Sequence, residues 1–126
     1  MAQLAVNDLI SVDHNGTLLQ VIEVGPPCKA LVVNGGVVGP NKAISLAGKS
    51  LILPSLTDSD DAAIGEAIRL QIPQIALSFT NSRSDVEQLR NRVGTGTTII
   101  AKIESRLGVE NLVKILEVAD AILIDR

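Results

Sequence analysis

The chain has 126 residues, a hydrophobic fraction of 46%, a formal charge of −3 and a single cysteine. That is enough globular sequence for one ordinary domain, and it excludes a disordered chain and a disulfide framework. With no basic run, it argues against nucleic acid or an anionic membrane as a partner. Phe79 is the only aromatic residue, so the core must be built from Ile, Leu, Val and Ala. Cys28 follows Pro26 and Pro27 and reads as a structural loop residue. No apolar stretch is long enough to span a membrane, and the N-terminus lacks the pattern of a secretory signal. A cytoplasmic setting is expected.

Residues 1–48 hold short strand-like runs separated by turns. Leu9 to Val12 and Thr17 to Val24 flank Asn15-Gly16, a hairpin signal because both residues tolerate positive φ. His14 beside it reads as a solvated turn residue. After the break at Gly25-Pro26-Pro27, Ala30 to Val33 is a third strand. Asn34-Gly35-Gly36 and Gly39-Pro40-Asn41 read as further turns, and the whole as a small antiparallel β unit.

Residues 49–126 alternate strands and helices. Leu51-Ile52-Leu53 reads as a strand stopped by Pro54. Thr57 starts a helix with Asp58 and Asp60 in its first turn, where acidic groups suit the exposed amides. Pro73 closes it. Ile75 to Phe79 is a strand, and Ser84 with Glu87 fits a capping box for a helix ending at Gly94. Thr97 to Glu104 is a β-branched, buried strand. Ser105 can cap the next helix, with Gly108 in its first turn, and Ala121 to Ile124 is the last strand. This β-α-β-α-β-α-β order implies parallel strands with right-handed crossovers. A closed (β/α)8 barrel needs about 250 residues, about twice what is present. The chain is therefore expected to be a cut piece.

Thr97 to Glu104 carries the chemistry. Alternation puts Thr98, Ile100, Lys102 and Glu104 on one face. A lysine and a carboxylate ending a buried strand must pair or bind something, and ligand sites lie at the carboxyl ends of parallel strands. The functional reading is a site shared by Lys102 and Glu104. The alternative is a surface ion pair of little worth.

In order and spacing, these residues resemble an internal segment of pyruvate kinase, roughly from Val6 to Arg126. Asn7 to Asp13 resembles that family's GDxIxVDDG strand and turn, and Asn34-Gly35-Gly36 with Gly39, Lys42, Leu46 and Gly48 resembles NGGxLGxxKGVNLPG. Leu53-Pro54 with Thr57 to Asp60 resembles LPxxSEKD, and Ser78-Phe79 with Ser84-Asp85-Val86 resembles SFxRxxxDV. Ala101 to Glu104 with Gly108-Val109 and Asn111 resembles SKIExxxGxxN, and the last strand resembles IMVARGD up to its arginine. Three departures stand out. The VNLPG junction is Ile44-Ser45-Leu46-Ala47-Gly48, the arginine after SF is replaced by Thr80-Asn81, and Asp125 replaces an alanine beside the substrate carboxylate site.

The resemblance implies a fold of class α/β: part of a (β/α)8 TIM-type barrel, residues 49–126, preceded by a small antiparallel β domain segment, residues 1–48. It implies phosphoryl transfer from phosphoenolpyruvate to ADP, with Mg2+ or Mn2+ and, in many members, K+. By the same match Glu104 would be a divalent-metal ligand, Lys102 would face the phosphoryl group, and Arg126 would lie at the substrate. The family's second metal carboxylate falls two positions beyond Arg126, so an inactive segment is expected. A homo-oligomer is expected for the family. Two alternatives remain open at the level of sequence: a metal-dependent aldolase or lyase of the pyruvate-using barrel type, and a non-catalytic half-barrel that self-associates.

Overall fold

A computed structural model describes residues 3–13, 16–40 and 42–124. Within it the chain divides into two units, residues 1–52 and 53–126.

The first unit is an antiparallel sheet of β1 (Leu9–Val12), β2 (Thr17–Glu23), β3 (Lys29–Asn34) and β4 (Ile44–Leu46), in the order β3-β2-β1-β4. Val12 faces Thr17 across the first hairpin, and Gly16 there has a φ of 80°. The turn type read at Asn15-Gly16, and His14 beside it, lie outside the described residues except for Gly16. Val12, Val21 and Leu46 are buried, a small core for a small sheet. Two ion pairs anchor the segments flanking β1: Lys49 to Asp8 at 2.5 Å and Lys42 to Asp13 at 2.9 Å. Hydrogen bonds from Lys49 and from the Ala5 amide hold the Asp8 carboxyl below the usual carboxylate range.

Leu51-Ile52-Leu53 does not form the expected strand. Ile52 and Leu53 are largely exposed, and Pro54 removes a donor. The Ile52 backbone is met by a side chain instead. Its N–H donates to Gln3 Oε1 at 2.7 Å, and its carbonyl accepts from Gln3 Nε2 at 2.5 Å.

The second unit holds a parallel sheet of β5 (Gln74–Leu77), β6 (Thr98–Ile103) and β7 (Ala121–Ile124), with β6 central. Helices α1 (Asp58–Arg69), α2 (Arg83–Val93), α3 (Arg106–Glu110) and α4 (Leu112–Leu116) complete it. The register places Ile75 beside Ile99, and Leu77 beside Ala101 beside Ile122. Those residues share one face, and Ile64, Val86, Leu89 and Ile115 of the helices pack with them into the core. The burial of β6 alternates strictly, with Ile99, Ala101 and Ile103 buried and Thr98, Ile100 and Lys102 partly exposed. That is the period of a strand covered on one face.

Local chemistry explains where the helices start and stop, and it shifts two expected boundaries. Thr57 caps α1 through a reciprocal box with Asp60. α1 ends at Arg69, four residues before Pro73, and Gln71 then turns the chain at a φ of 53°. The cap of α2 is Ser82 with Asp85, not Ser84 with Glu87; Glu87 pairs with Arg83 at 2.6 Å instead. Asp85 reaches both the Asn81 and Ser82 amides at 2.8 Å, which a carboxylate two residues later could not do. Gly94 ends α2 at a φ of 73°, which glycine adopts without a Cβ penalty, and its N–H donates to the Arg90 carbonyl. The expected last helix is interrupted at Asn111, whose side chain donates to the Asn81 carbonyl at 2.9 Å.

At the amino end of β6, Asp120 accepts from the Ile99 amide at 2.7 Å and from the Arg90 guanidinium. Arg90 also donates to the Thr97 carbonyl at 2.5 Å. The Ile99 amide first, and Arg90 second, hold the Asp120 carboxyl below the usual range.

Two stability predictions follow from this packing. Leu89 is 1% exposed, so Leu89→Ala is expected to cost about 3 kcal/mol, measured as a lower urea midpoint. Because the folded-state value of Asp120 is depressed, its contribution is present above the ordinary aspartate range and lost as pH falls through the folded value. Wild type is therefore expected to melt above Asp120→Asn at neutral pH, with the gap closing in strong acid.

Candidate active site

The sequence puts Lys102 on the face of β6 opposite the core, and the register lines that face with Ala76, Ile100, Ala121 and Leu123. Glu104 follows one residue past the strand. The strand's alternation carries its side chain to the same side, and Lys102 Nζ stands 3.1 Å from Glu104 Oε1. Both side chains are mostly shielded, at 22% and 13% exposure. A pair so shielded interacts through a lower effective dielectric than a surface pair. The two residues singled out in the sequence thus come together at the carboxyl end of a parallel strand. Arg126, the third, lies outside the described residues.

Sequence reasoning missed what holds the pair. After β5 the chain does not continue as a strand to Phe79. Phe79 takes a φ of 50°, a left-handed conformation unusual for a bulky residue. Its N–H turns toward β6 and donates to Glu104 Oε2 at 2.8 Å. The carboxylate is therefore gripped on one oxygen by a backbone amide and on the other by an ammonium.

Thr80, next along, is fully buried. Its N–H donates to the Lys102 carbonyl at 3.0 Å and its hydroxyl to the Leu77 carbonyl at 2.8 Å. Asn81 then meets α3 and α4: its side-chain oxygen accepts from the Ser105 hydroxyl, and its carbonyl accepts from Asn111. Ser105 also caps α3, accepting from the Gly108 amide at 3.0 Å. The turn 79–81 is thus tied to β5, to β6 and to the helix that follows Glu104. The only cue to this in the sequence was the polar run Thr80-Asn81 at the place where the related motif carries an arginine.

The arrangement presents a fixed cation beside a fixed carboxylate at the carboxyl end of a parallel strand. It suits binding a group that carries both negative oxygens and a hard metal ion. A carboxylate is a hard oxygen donor, and each oxygen of Glu104 has lone-pair capacity beyond its present partner. Glu104 therefore fits as one ligand of a divalent cation. Among the described residues no group of three or more His, Cys, Asp or Glu side chains could hold a metal by itself. No helix among them is long and apolar enough to cross a membrane.

Comparison with known proteins gives the family. The family model described as pyruvate kinase, barrel domain, matches residues 1–126. The chain is 36% identical to a pyruvate kinase of Mycobacterium tuberculosis over 131 residues, covering 100% of this chain and 28% of that protein. It is 36% identical to a pyruvate kinase of Geobacillus stearothermophilus, covering 99% of the chain and 22% of the relative. To the human pyruvate kinase PKLR it is 34% identical, covering 96% and 22%. The chain thus spans roughly a quarter of the length of these relatives. With its parallel strand–helix unit and the Lys102–Glu104 strand end in the matched region, the chain belongs to the pyruvate kinase family, through its barrel domain.

Proposed function

We propose that this chain supplies the Lys102 and Glu104 part of a site that transfers a phosphoryl group from phosphoenolpyruvate to ADP, giving pyruvate and ATP. The observation that carries the reading is the shielded Lys102–Glu104 pair at the carboxyl end of β6, held by the Phe79 amide. In this reaction an ADP phosphate oxygen forms a bond to phosphorus as the bond from phosphorus to the enol oxygen breaks. Negative charge spreads over the phosphoryl oxygens in flight and then onto the enolate oxygen. The Lys102 ammonium lies where it stabilises that charge, and it is already oriented before substrate arrives. Glu104 holds the ammonium in place and is one ligand for Mg2+ or Mn2+, which would neutralise phosphate charge and polarise the enolate oxygen. The enolate is completed as pyruvate by a proton taken up at its terminal carbon. K+ comes to this chain through the family resemblance alone, as does self-association into a homo-oligomer.

One carboxylate binds a divalent cation weakly. The 126-residue chain by itself is accordingly expected to show no phosphoenolpyruvate-dependent ATP formation. Turnover that disappears in Lys102→Met would overturn that expectation.

Two substitutions are expected to affect metal binding differently. Glu104→Gln removes a ligand charge and should weaken Mn2+ binding about tenfold or more, read by water-proton relaxation. Lys102→Met removes a like charge beside the cation and should leave Mn2+ binding equal or tighter. Added phosphoenolpyruvate is expected to tighten Mn2+ binding in the wild type and not in Lys102→Met. Equal Mn2+ affinity in wild type and Glu104→Gln would count against the site.

A further inference from the structure

Gly108, in the short helix that follows Glu104, lies close against the turn that holds the carboxylate. A Cβ built on Gly108 would lie 2.6 Å from the Thr80 carbonyl oxygen, 3.3 Å from Ile103 Cγ2 and 3.4 Å from Ser105 Oγ. The first distance is below any real carbon–oxygen contact, and the atom met is backbone, so it cannot swing aside. Gly108 itself is buried in α3 with an ordinary helical backbone. It is glycine here for space and not for φ.

The Thr80 backbone has little room to yield. Its N–H is tied to the Lys102 carbonyl, its hydroxyl to the Leu77 carbonyl, and Asn81 after it to Ser105 and Asn111. Phe79, directly before Thr80, holds the left-handed conformation that aims its N–H at Glu104. On the other side, Glu104 precedes Ser105, the cap of α3. The turn 79–81 and the first turn of α3 therefore approach closely where Gly108 meets the Thr80 carbonyl. Phe79, which meets Glu104 Oε2, directly precedes Thr80, and Glu104 lies one turn of chain before Gly108, next to the cap Ser105.

We propose that Gly108 is a positioning residue: its missing side chain lets α3 seat on the Thr80 carbonyl, and this seating sets the Phe79 amide on the Glu104 carboxylate. The geometric link stands on these contacts. Its consequence for the cation rests on the function proposed above.

Backbone amide exchange on the full chain tests the link without metal. Glu104→Ala, which removes the acceptor, is expected to speed exchange at Phe79 about tenfold. Gly108→Ala is expected to do the same, with the Ile100 and Ala101 amides inside β6 keeping their rates. Unchanged exchange at Phe79 in Gly108→Ala overturns the proposal. So does a uniform loosening that speeds the β6 amides equally, because Gly108 would then be merely structural. Should Gly108→Ala fail to fold, Asn111→Ala loosens the same turn from the same side. It must also speed Phe79, and unchanged exchange there is equally fatal.

A Mn2+ titration of the same proteins separates the two readings. Gly108→Ala removes no ligand, yet it is expected to weaken Mn2+ binding about tenfold, as a displaced supporting contact does. If wild type binds no Mn2+ while Phe79 exchange still follows Gly108, the positioning link survives and the cation reading fails. If wild type binds Mn2+ and Gly108→Ala changes neither affinity nor Phe79 exchange, the link fails and the cation reading survives.

Discussion

Strand β6 is paired on both edges and packed on one face, and its neighbours take their places from that arrangement. Ile99, Ala101 and Ile103 bury themselves against the helices, so Thr98, Ile100 and Lys102 must face the other way. Burial of three apolar side chains thereby fixes where a lysine points. Burying a branched aliphatic side chain is worth about 2 kcal/mol, so Ile99 and Ile103, with Ala101 between them, outweigh the cost of holding one paired lysine mostly shielded opposite. A one-residue slip of β6 would expose the core residues and bury the ammonium, which makes the register strongly specified.

The two ends of β6 use the same chemistry for different ends. At the amino end a carboxylate, Asp120, accepts from a backbone amide and an arginine. At the carboxyl end another, Glu104, accepts from a backbone amide and a lysine. Charge-assisted bonds of this kind satisfy groups that would otherwise be desolvated without partners. Asp120 joins α2, β6 and the approach to β7, so its pairing reads as architecture. Glu104 faces the end of the strand where parallel α/β proteins place their ligands, and its cation is a lysine, a compact point charge that phosphoryl oxygens can share. Position along the strand separates the architectural pair from the one proposed for chemistry.

Much of the second unit was legible in the sequence. Apolar periodicity located β6, β7 and the helices, and Thr57, Gly94 and Ser105 marked helix ends because capping is a local transaction between a side chain and nearby amides. Where two carboxylates competed for one cap, local pattern was not enough. Asp85 and Glu87 both lie near the start of α2, and the winner was decided by Asn81, whose amide Asp85 also reaches. Leu51-Ile52-Leu53 has the composition of a strand, but a strand exists only with a partner, and the Ile52 backbone is met by Gln3 instead. The break at Asn111 likewise answers a distant carbonyl, that of Asn81.

By itself the sequence determined the alternation of strands and helices, the face of β6 that carries Lys102, and, through ordered motifs, the pyruvate kinase family. Each of these depends on residues close together in the chain or on their order along it. The tertiary structure alone decided how Glu104 is held. That grip needs a left-handed Phe79, a buried Thr80 and, 28 positions after Thr80, a glycine at position 108, meeting at backbone atoms. Backbone amides and carbonyls are the same at every position, so no pattern of side chains announces which of them will meet.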